Sequence, residues 1–239
     1  MKRVSPQQHR KPAVGLSGRK KRTCSPKSRI LLVDDHAIVR EGFAELINRH
    51  DDLEVCCQAS TAADARGRAI ILNPDLVIVD LSLQEGSGLD LIKDLKVVKP
   101  RLPILVLSMH DEGIYAERAL RAGALGYVMK TETSATVLTA IRTVLLGKVF
   151  VSEAIGGQML HQVVGHALPT NTSVTELFSD RELEIFELLG EGYTTRQIAR
   201  HLHLGISTVE THRAHLKEKL RLRNAAELLR AAVQFVNQP

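Results

Sequence analysis

The sequence predicts an α/β domain built on a doubly wound, five-stranded parallel sheet, followed by a small all-α domain. Three observations carry that prediction. Short apolar runs alternate with helix-length stretches five times between residues 29 and 147. Four of those runs stop at a charged or hydroxyl side chain. From about residue 175 the apolar spacing is helical throughout, and a glycine separates the second and third helices. At 239 residues the chain is long enough for two such units.

The first predicted strand, 29–33, holds Ile30-Leu31-Leu32-Val33 and runs into Asp34 and Asp35. A helix over 36–48 follows. The second strand, 53–58, contains Cys56 and Cys57, so alternation turns one of them toward the core. Thr61 stands at the start of a helix over 61–72. The third strand, 76–80, is Leu76-Val77-Ile78-Val79 and ends in Asp80; a helix over 88–97 follows it. The fourth, 103–108, ends in Ser108 and precedes a helix over 112–122. The fifth, 126–129, stops at Lys130, and Thr133-Ser134 opens a last helix over 133–146. Runs this continuously apolar suit strands covered on both faces. Pro74, Pro100 and Pro103 fall between elements.

Residues 149–174 read as a linker with one short helix over 152–164, followed by Pro169-Thr170-Asn171-Thr172-Ser173. In the 175–239 domain, Ser179 and Glu182 form a capping box for a helix through Ile185, Leu188 and Leu189. A second helix begins at Thr194-Thr195. Gly205 marks a tight turn, and a third helix begins at Ser207 as its cap and runs to Leu220. A fourth spans 223–236.

In a parallel sheet, chemistry collects at the carboxyl ends of the strands. Asp34, Asp35, Asp80, Ser108 and Lys130 are therefore expected at one edge. Crowded carboxylates raise one another's proton affinity, and an ion such as Mg²⁺ resolves the conflict with oxygen ligands and retained waters. Asp80 is the expected nucleophile toward phosphorus, because it stands alone at a central strand end. The Gly86-Ser87-Gly88 run keeps the loop beyond it low and open. Lys130 supplies a cation and Ser108 a hydroxyl for the phosphoryl oxygens. A lone strand-end Asp is ordinarily a helix cap, and a lone Lys ordinarily lays its stem along apolar surface. The five residues in this order outweigh those readings.

Charge is uneven along the chain. Residues 1–28, with Arg29, carry ten Lys or Arg and no acid, leaving 22 bases and 27 acids for the remainder. The 1–28 segment reads as a disordered, solvated tail, with non-specific phosphate contact as its functional alternative. No apolar run has the length of a membrane span, so no membrane partner is expected. Cys24, Cys56 and Cys57 form no disulfide framework, which fits reduced thiols in a cytoplasmic protein.

Residues 29–147 resemble a two-component receiver domain, which is flavodoxin-like, through Asp34-Asp35, Asp80, Ser108, Tyr127 and Lys130 in order. The resemblance implies that Asp34, Asp35, Asp80 and the backbone carbonyl of Ser82 bind Mg²⁺. It implies that a sensor histidine kinase phosphorylates Asp80, and that Ser108 and Tyr127 form a switch. One departure is Gln84, where the family usually carries Pro. Residues 175–238 resemble a helix-turn-helix of the NarL/LuxR (FixJ-like) family. The matching text is Phe178-Ser179-Asp180-Arg181-Glu182, Gly192-Tyr193-Thr194-Thr195-Arg196-Gln197-Ile198-Ala199, Leu204-Gly205-Ile206-Ser207-Thr208-Val209-Glu210-Thr211-His212-Arg213 and Leu216-Lys217-Glu218-Lys219-Leu220.

Charge agrees with the second resemblance. Residues 194–239 hold eight bases against three acids, whereas 176–191 hold six acids and one base. The third helix is expected in the major groove of double-stranded DNA with Glu210, Thr211, Arg213 and Ala214 leading and Lys217 one turn on. Arg213 reads guanine or phosphate, and Glu210 either accepts from cytosine or favours the helix N-terminus from solvent. Thr194, Thr208 and Lys219 are expected phosphate contacts. Val209, Leu216 and Leu220 read as core, and His212 and His215 as packing groups without metal-ligand partners. The expected whole is a phosphorylation-controlled transcriptional regulator, not an enzyme, that forms a homodimer through 223–236 when phosphorylated. The alternative is a phosphorylation-independent DNA-binding regulator that keeps the receiver as a dimerisation module. A metal-dependent phosphatase is disfavoured, because Ser82 stands where its general acid belongs.

Overall fold

A computed structural model of the chain describes residues 1, 26–83, 87–163 and 177–237. The predictions for the tail, Cys24, Gln84, Gly86 and the linker stretch 164–176 lie outside these residues.

Five parallel strands, β1 (Ser28–Val33), β2 (Leu53–Ala59), β3 (Leu76–Val79), β4 (Ile104–Ser108) and β5 (Gly126–Met129), form one sheet in the order β2-β1-β3-β4-β5. The helices between and after them are α1 (Ala37–Asn48), α2 (Ala62–Leu72), α3 (Gly88–Val98), α4 (Glu112–Ala122) and α5 (Ser134–Leu145). Alternation along the strands assigns the two faces. Ile30, Leu32, Ile78, Leu105 and Val128 pack with Ala44 and Ile47 of α1 and with Val137, Ile141 and Val144 of α5. Leu31, Val33, Val77, Val79 and Val106 pack with α2, α3 and α4 through Ala65, Ile92, Leu95 and Ala116. The chain reverses its order between β1 and β3, so a crevice opens there at the carboxyl ends of the strands.

Caps follow the sequence at Thr61, which accepts from the Asp64 amide, and at Thr133, which accepts from the Thr136 amide. The β1–β2 pairing departs from a simple alternation. Its register shifts between Ile30 and Leu31, so Cys56 is an extra residue. That bulge brings the Cys56 and Cys57 sulfurs to 3.6 Å. Burial pushes the Cys57 thiol up to about 12. After α5 the chain returns to the sheet margin, where the Tyr127 amide donates to the Phe150 carbonyl at 2.9 Å. The β5 edge is thereby partly covered. A short helix, α6 (Glu153–Val163), then packs on α4 through Ile155 and Met159.

The last four helices are α7 (Asp180–Gly190), α8 (Thr195–His201), α9 (Ile206–Lys219) and α10 (Ala225–Val236). Leu183, Phe186, Ile198, Val209, Leu216 and Leu228 close a small core, and Phe178 meets Phe186 edge-on at 5.1 Å. Gly190 lets α10 approach: a Cβ there would lie 2.4 Å from the Ala232 carbonyl oxygen. The capping box at Ser179 and Glu182 is present, and a second one joins Thr194 and Gln197.

One expectation about the turn before α9 is corrected. Ser207 does not cap the helix; Gly205 is the N-cap residue and makes no side-chain bond. Gly205 lies in the turn as expected, with φ −67°, and the residue at positive φ is His203, at 52°. The reversal therefore begins two residues before the glycine. Among the described residues no helix is long and apolar enough to cross a membrane.

Candidate functional site

Three strand ends deliver the pocket. Asp34 follows β1, Asp80 follows β3 and Lys130 follows β5, and all three side chains are nearly enclosed. The Lys130 ammonium lies 2.6 Å from Asp34 Oδ2 and 2.7 Å from Asp80 Oδ2. One cation thus serves two buried carboxylates, and the trio keeps a net negative charge. Asp80 Oδ1 is buried and has no hydrogen-bond partner. Burial raises the Asp80 carboxyl above its usual value, and Lys130 draws back only part of that shift. Burial alone would lower Lys130, but the facing Asp80 and Asp34 outweigh it and the net direction is up.

Asp35 joins the group with its Oδ1 at 2.7 Å from His36 Nδ1. Asp34, Asp35, His36 and Asp80 each offer a ligand atom within 4.8 Å of the others. His36 was not singled out in the sequence, because a lone histidine after an acid pair carries no periodic signal. The floor of the pocket is tight. Gly88 packs so closely that a Cβ would lie 2.3 Å from the Asp80 carbonyl oxygen.

Ser108 is fully buried, and its Oγ accepts from the His110 amide at 3.2 Å. Tyr127 points inward, 1% exposed, and its hydroxyl donates to the His110 carbonyl at 2.9 Å. The two expected switch residues therefore meet on one backbone segment. Ser82 Oγ lies 2.9 Å from His110 Nε2, so His110 also touches the loop beyond Asp80.

On the C-terminal helical domain, Thr194, Thr208, Glu210, Thr211 and Ala214 are exposed. Arg213 and Lys217 are half-buried. Arg213 Nη1 bonds Thr195 Oγ1 and, at 3.0 Å, Glu210 Oε1, which ties α8 to α9. Thr194 is engaged as a helix cap. Lys219 is exposed as well. Its ammonium sits 2.5 Å from Glu182 Oε2, which ties the end of α9 to the start of α7.

Residues 30–142 match the response regulator receiver domain family, and residues 176–232 match the bacterial regulatory proteins of the luxR family. The oxygen regulatory protein NreC of Staphylococcus haemolyticus is 35% identical over 210 residues, covering 86% of this chain and 97% of that protein. The chain is a response regulator. It belongs to the two-component transcription regulators that join a receiver to a luxR-type DNA-binding domain. NreC of Staphylococcus aureus strain JH9 is 34% identical over the same shares. The crystal structure of a LuxR-family response regulator from Aurantimonas sp. SI85-9A1 is 34% identical, covers 58% of this chain and 99% of that one, and superposes with a TM-score of 0.54. RcsB of Salmonella enterica serovar Typhimurium, bound to the promoter P1flhDC in the presence of BeF3⁻, shares the fold at 22% identity. The alignment covers 87% of this chain and 98% of RcsB, with a TM-score of 0.61.

In this response regulator the two domains are clasped. Asp180, at the start of α7, lies 2.6 Å from Arg118 Nη1 on α4 and 2.9 Å from Lys93 Nζ on α3. Glu187 accepts from the Tyr115 hydroxyl at 2.7 Å and lies 3.4 Å from His110 Nδ1. Ser87 donates to Glu184 at 3.3 Å. Burial raises the Tyr115 hydroxyl, and the facing Glu187 adds to it. A cleft of about 510 Å³ lies between the domains, lined by Asp35, His36, Ser82 and His110 on one side and Glu184, Glu187, Arg200 and His203 on the other. Reading the sequence missed the clasp. Its acids lie on what reads as a solvated face of an amphipathic helix.

Proposed function

We propose that this regulator accepts a phosphoryl group on Asp80 from a sensor histidine kinase, with Mg²⁺ held by Asp34, Asp35, Asp80 and the Ser82 carbonyl. The observation that carries the proposal is Asp80 Oδ1, buried and without a partner, in a pocket whose charges sum to a negative value. A structural acid at that depth would have both oxygens bonded. The oxygen-rich donor set fits a hard divalent cation, and such an ion when bound neutralises phosphoryl oxygens. Asp80 Oδ1 attacks the phosphorus. The bond from phosphorus to the donor imidazole nitrogen breaks, and its electron pair leaves with the imidazole. Lys130 exchanges a carboxylate for a phosphoryl oxygen.

The response runs through His110. Ser108 turns its hydroxyl to the phosphoryl group and releases the His110 amide, and Tyr127 then loses its acceptor position. His110 touches Ser82, Tyr115 and Glu187 as well, so its displacement reaches the clasp directly. Opening the clasp frees α7 and its domain to pair with a second copy. Leu229, Val233 and Val236 form an exposed apolar stripe on α10 that suits such a homodimer on a two-fold DNA site. Thr208, Glu210, Thr211 and Ala214 lead into the groove, with Arg213 and Lys217 behind them and Thr194 near the backbone.

Intact mass after incubation with Mg²⁺ and acetyl phosphate tests the chemistry. Wild type gains one phosphoryl group and Asp80→Asn gains none. No gain in either, with folding intact, would favour the phosphorylation-independent alternative.

A further inference from the structure

The DNA-binding domain contains a second group of metal-type ligands that the receiver chemistry does not use. Glu182 sits in the first turn of α7. His212 and His215 stand one turn apart on α9. Their ligand atoms, one from each residue, lie within 4.8 Å of one another. In the sequence the acid at helical spacing from the two histidines is Glu218, three residues after His215, and it is not the one that meets them. Their partner comes from thirty residues earlier and is visible only in the fold.

The carboxylate is divided between two tasks. Glu182 is 3% exposed. Its Oε2 accepts from the Ser179 amide at 2.8 Å and from Lys219 at 2.5 Å. Its Oε1 is 3.7 Å from His215 Nδ1, beyond hydrogen-bond length. The capping box and the lysine therefore use one oxygen and leave the other toward the histidines. His212 adds the second observation: its Nδ1 is buried and has no hydrogen-bond partner. Buried imidazole nitrogens are almost always bonded, so an orphan beside an underused carboxylate oxygen marks a place where a bridging atom is missing.

We propose that Glu182, His212 and His215 bind a divalent first-row transition metal, Zn²⁺ in the first instance. Two imidazoles and one carboxylate form a donor set that suits tetrahedral zinc with water in the fourth position, and suits Mg²⁺ poorly. The receiver pocket, dominated by carboxylate oxygens, has the opposite preference. The two sites are separable by metal as well as by position. The bound ion joins the start of α7 to the middle of α9. It thereby fixes the recognition helix against the helix that the receiver clasps.

The test is a Co²⁺ titration of the full chain in excess Mg²⁺, read by visible absorbance and by equilibrium dialysis. Wild type is compared with His215→Gln and Glu182→Gln. His215 is half exposed, so its loss leaves the core intact. Glutamine at 182 keeps the capping box but removes the anion. Wild type is expected to bind one equivalent more than either variant, with the intense visible bands of tetrahedral Co²⁺ and displacement by Zn²⁺. Affinity for that equivalent is expected to fall at least about 10-fold in each variant. The same stoichiometry and spectrum in wild type and His215→Gln would overturn the proposal.

Discussion

The acid pocket of the receiver and the clasp between the domains are built from the same kinds of side chain and differ in how completely those are matched. In the pocket, two carboxylates share one ammonium and Asp80 Oδ1 is left unbonded. In the clasp, Asp180 has two cations for its two oxygens, and Glu187 has a phenol and an imidazole. Burial favours the proton on Asp80, whereas Lys93 and Arg118 outweigh burial and hold Asp180 below its usual range. Each is therefore open to a different kind of change. Unmatched charge in a dry site is reactive toward a new partner, while matched charge at a half-open surface holds a geometry until one partner is withdrawn.

The strongest way to sharpen that contrast is to remove Lys130. Lys130→Met leaves two buried carboxylates without their cation, and stability without Mg²⁺ is expected to fall by about 3–5 kcal/mol. Millimolar Mg²⁺ should restore part of it, read as the urea midpoint. An unchanged midpoint without Mg²⁺ would mean the pocket is not charge-limited. On the clasp, Arg118→Ala removes charge-assisted bonds to Asp180 and the Phe178 carbonyl, at about 1.5–3 kcal/mol. The unphosphorylated chain should then expand in small-angle scattering and bind DNA roughly 10-fold more tightly, a factor worth about 1.4 kcal/mol. A compact Arg118→Ala protein with wild-type DNA affinity would break the reading of the clasp as a restraint. Tyr115→Phe is milder, about 1 kcal/mol, because the ring stays 4.5 Å from His110 and Glu187 keeps that histidine. It should loosen the clasp in the same assays without changing the rate of Asp80 phosphorylation. Smallest is the pair of caps. Ser179→Ala should cost about 1 kcal/mol in thermal stability. Ser207→Ala should stay within about 0.5 kcal/mol, since its hydroxyl caps nothing.

The pocket was legible in the sequence because each of its residues ends an apolar run, and strand ends of a parallel sheet converge. Asp34, Asp80, Ser108 and Lys130 were all placed this way. The α9 surface was legible for a similar reason: the apolar positions Val209 and Leu216 fix which face is inward. The Lys219–Glu182 pair was not legible, because Glu182 reads as half of a capping box and the two residues lie 37 apart in the chain. The Ser179 amide and the Lys219 ammonium share one oxygen of that carboxylate, Oε2. The positive φ of His203 was not legible, because glycine is the usual residue there and here a histidine takes it.

The order of elements, the burial of the strands on both faces and the acid edge came from the amino-acid sequence alone. These follow from backbone hydrogen bonding and apolar periodicity, which act over a few residues and repeat. Only the tertiary structure decided that α7 docks on α3 and α4, that His110 joins Ser108, Tyr127, Ser82 and Glu187, and that His212 and His215 meet Glu182. Those contacts join surfaces far apart in the chain. They are made by single polar side chains, whose partners depend on the packing angle of whole helices and leave no repeating mark in the sequence.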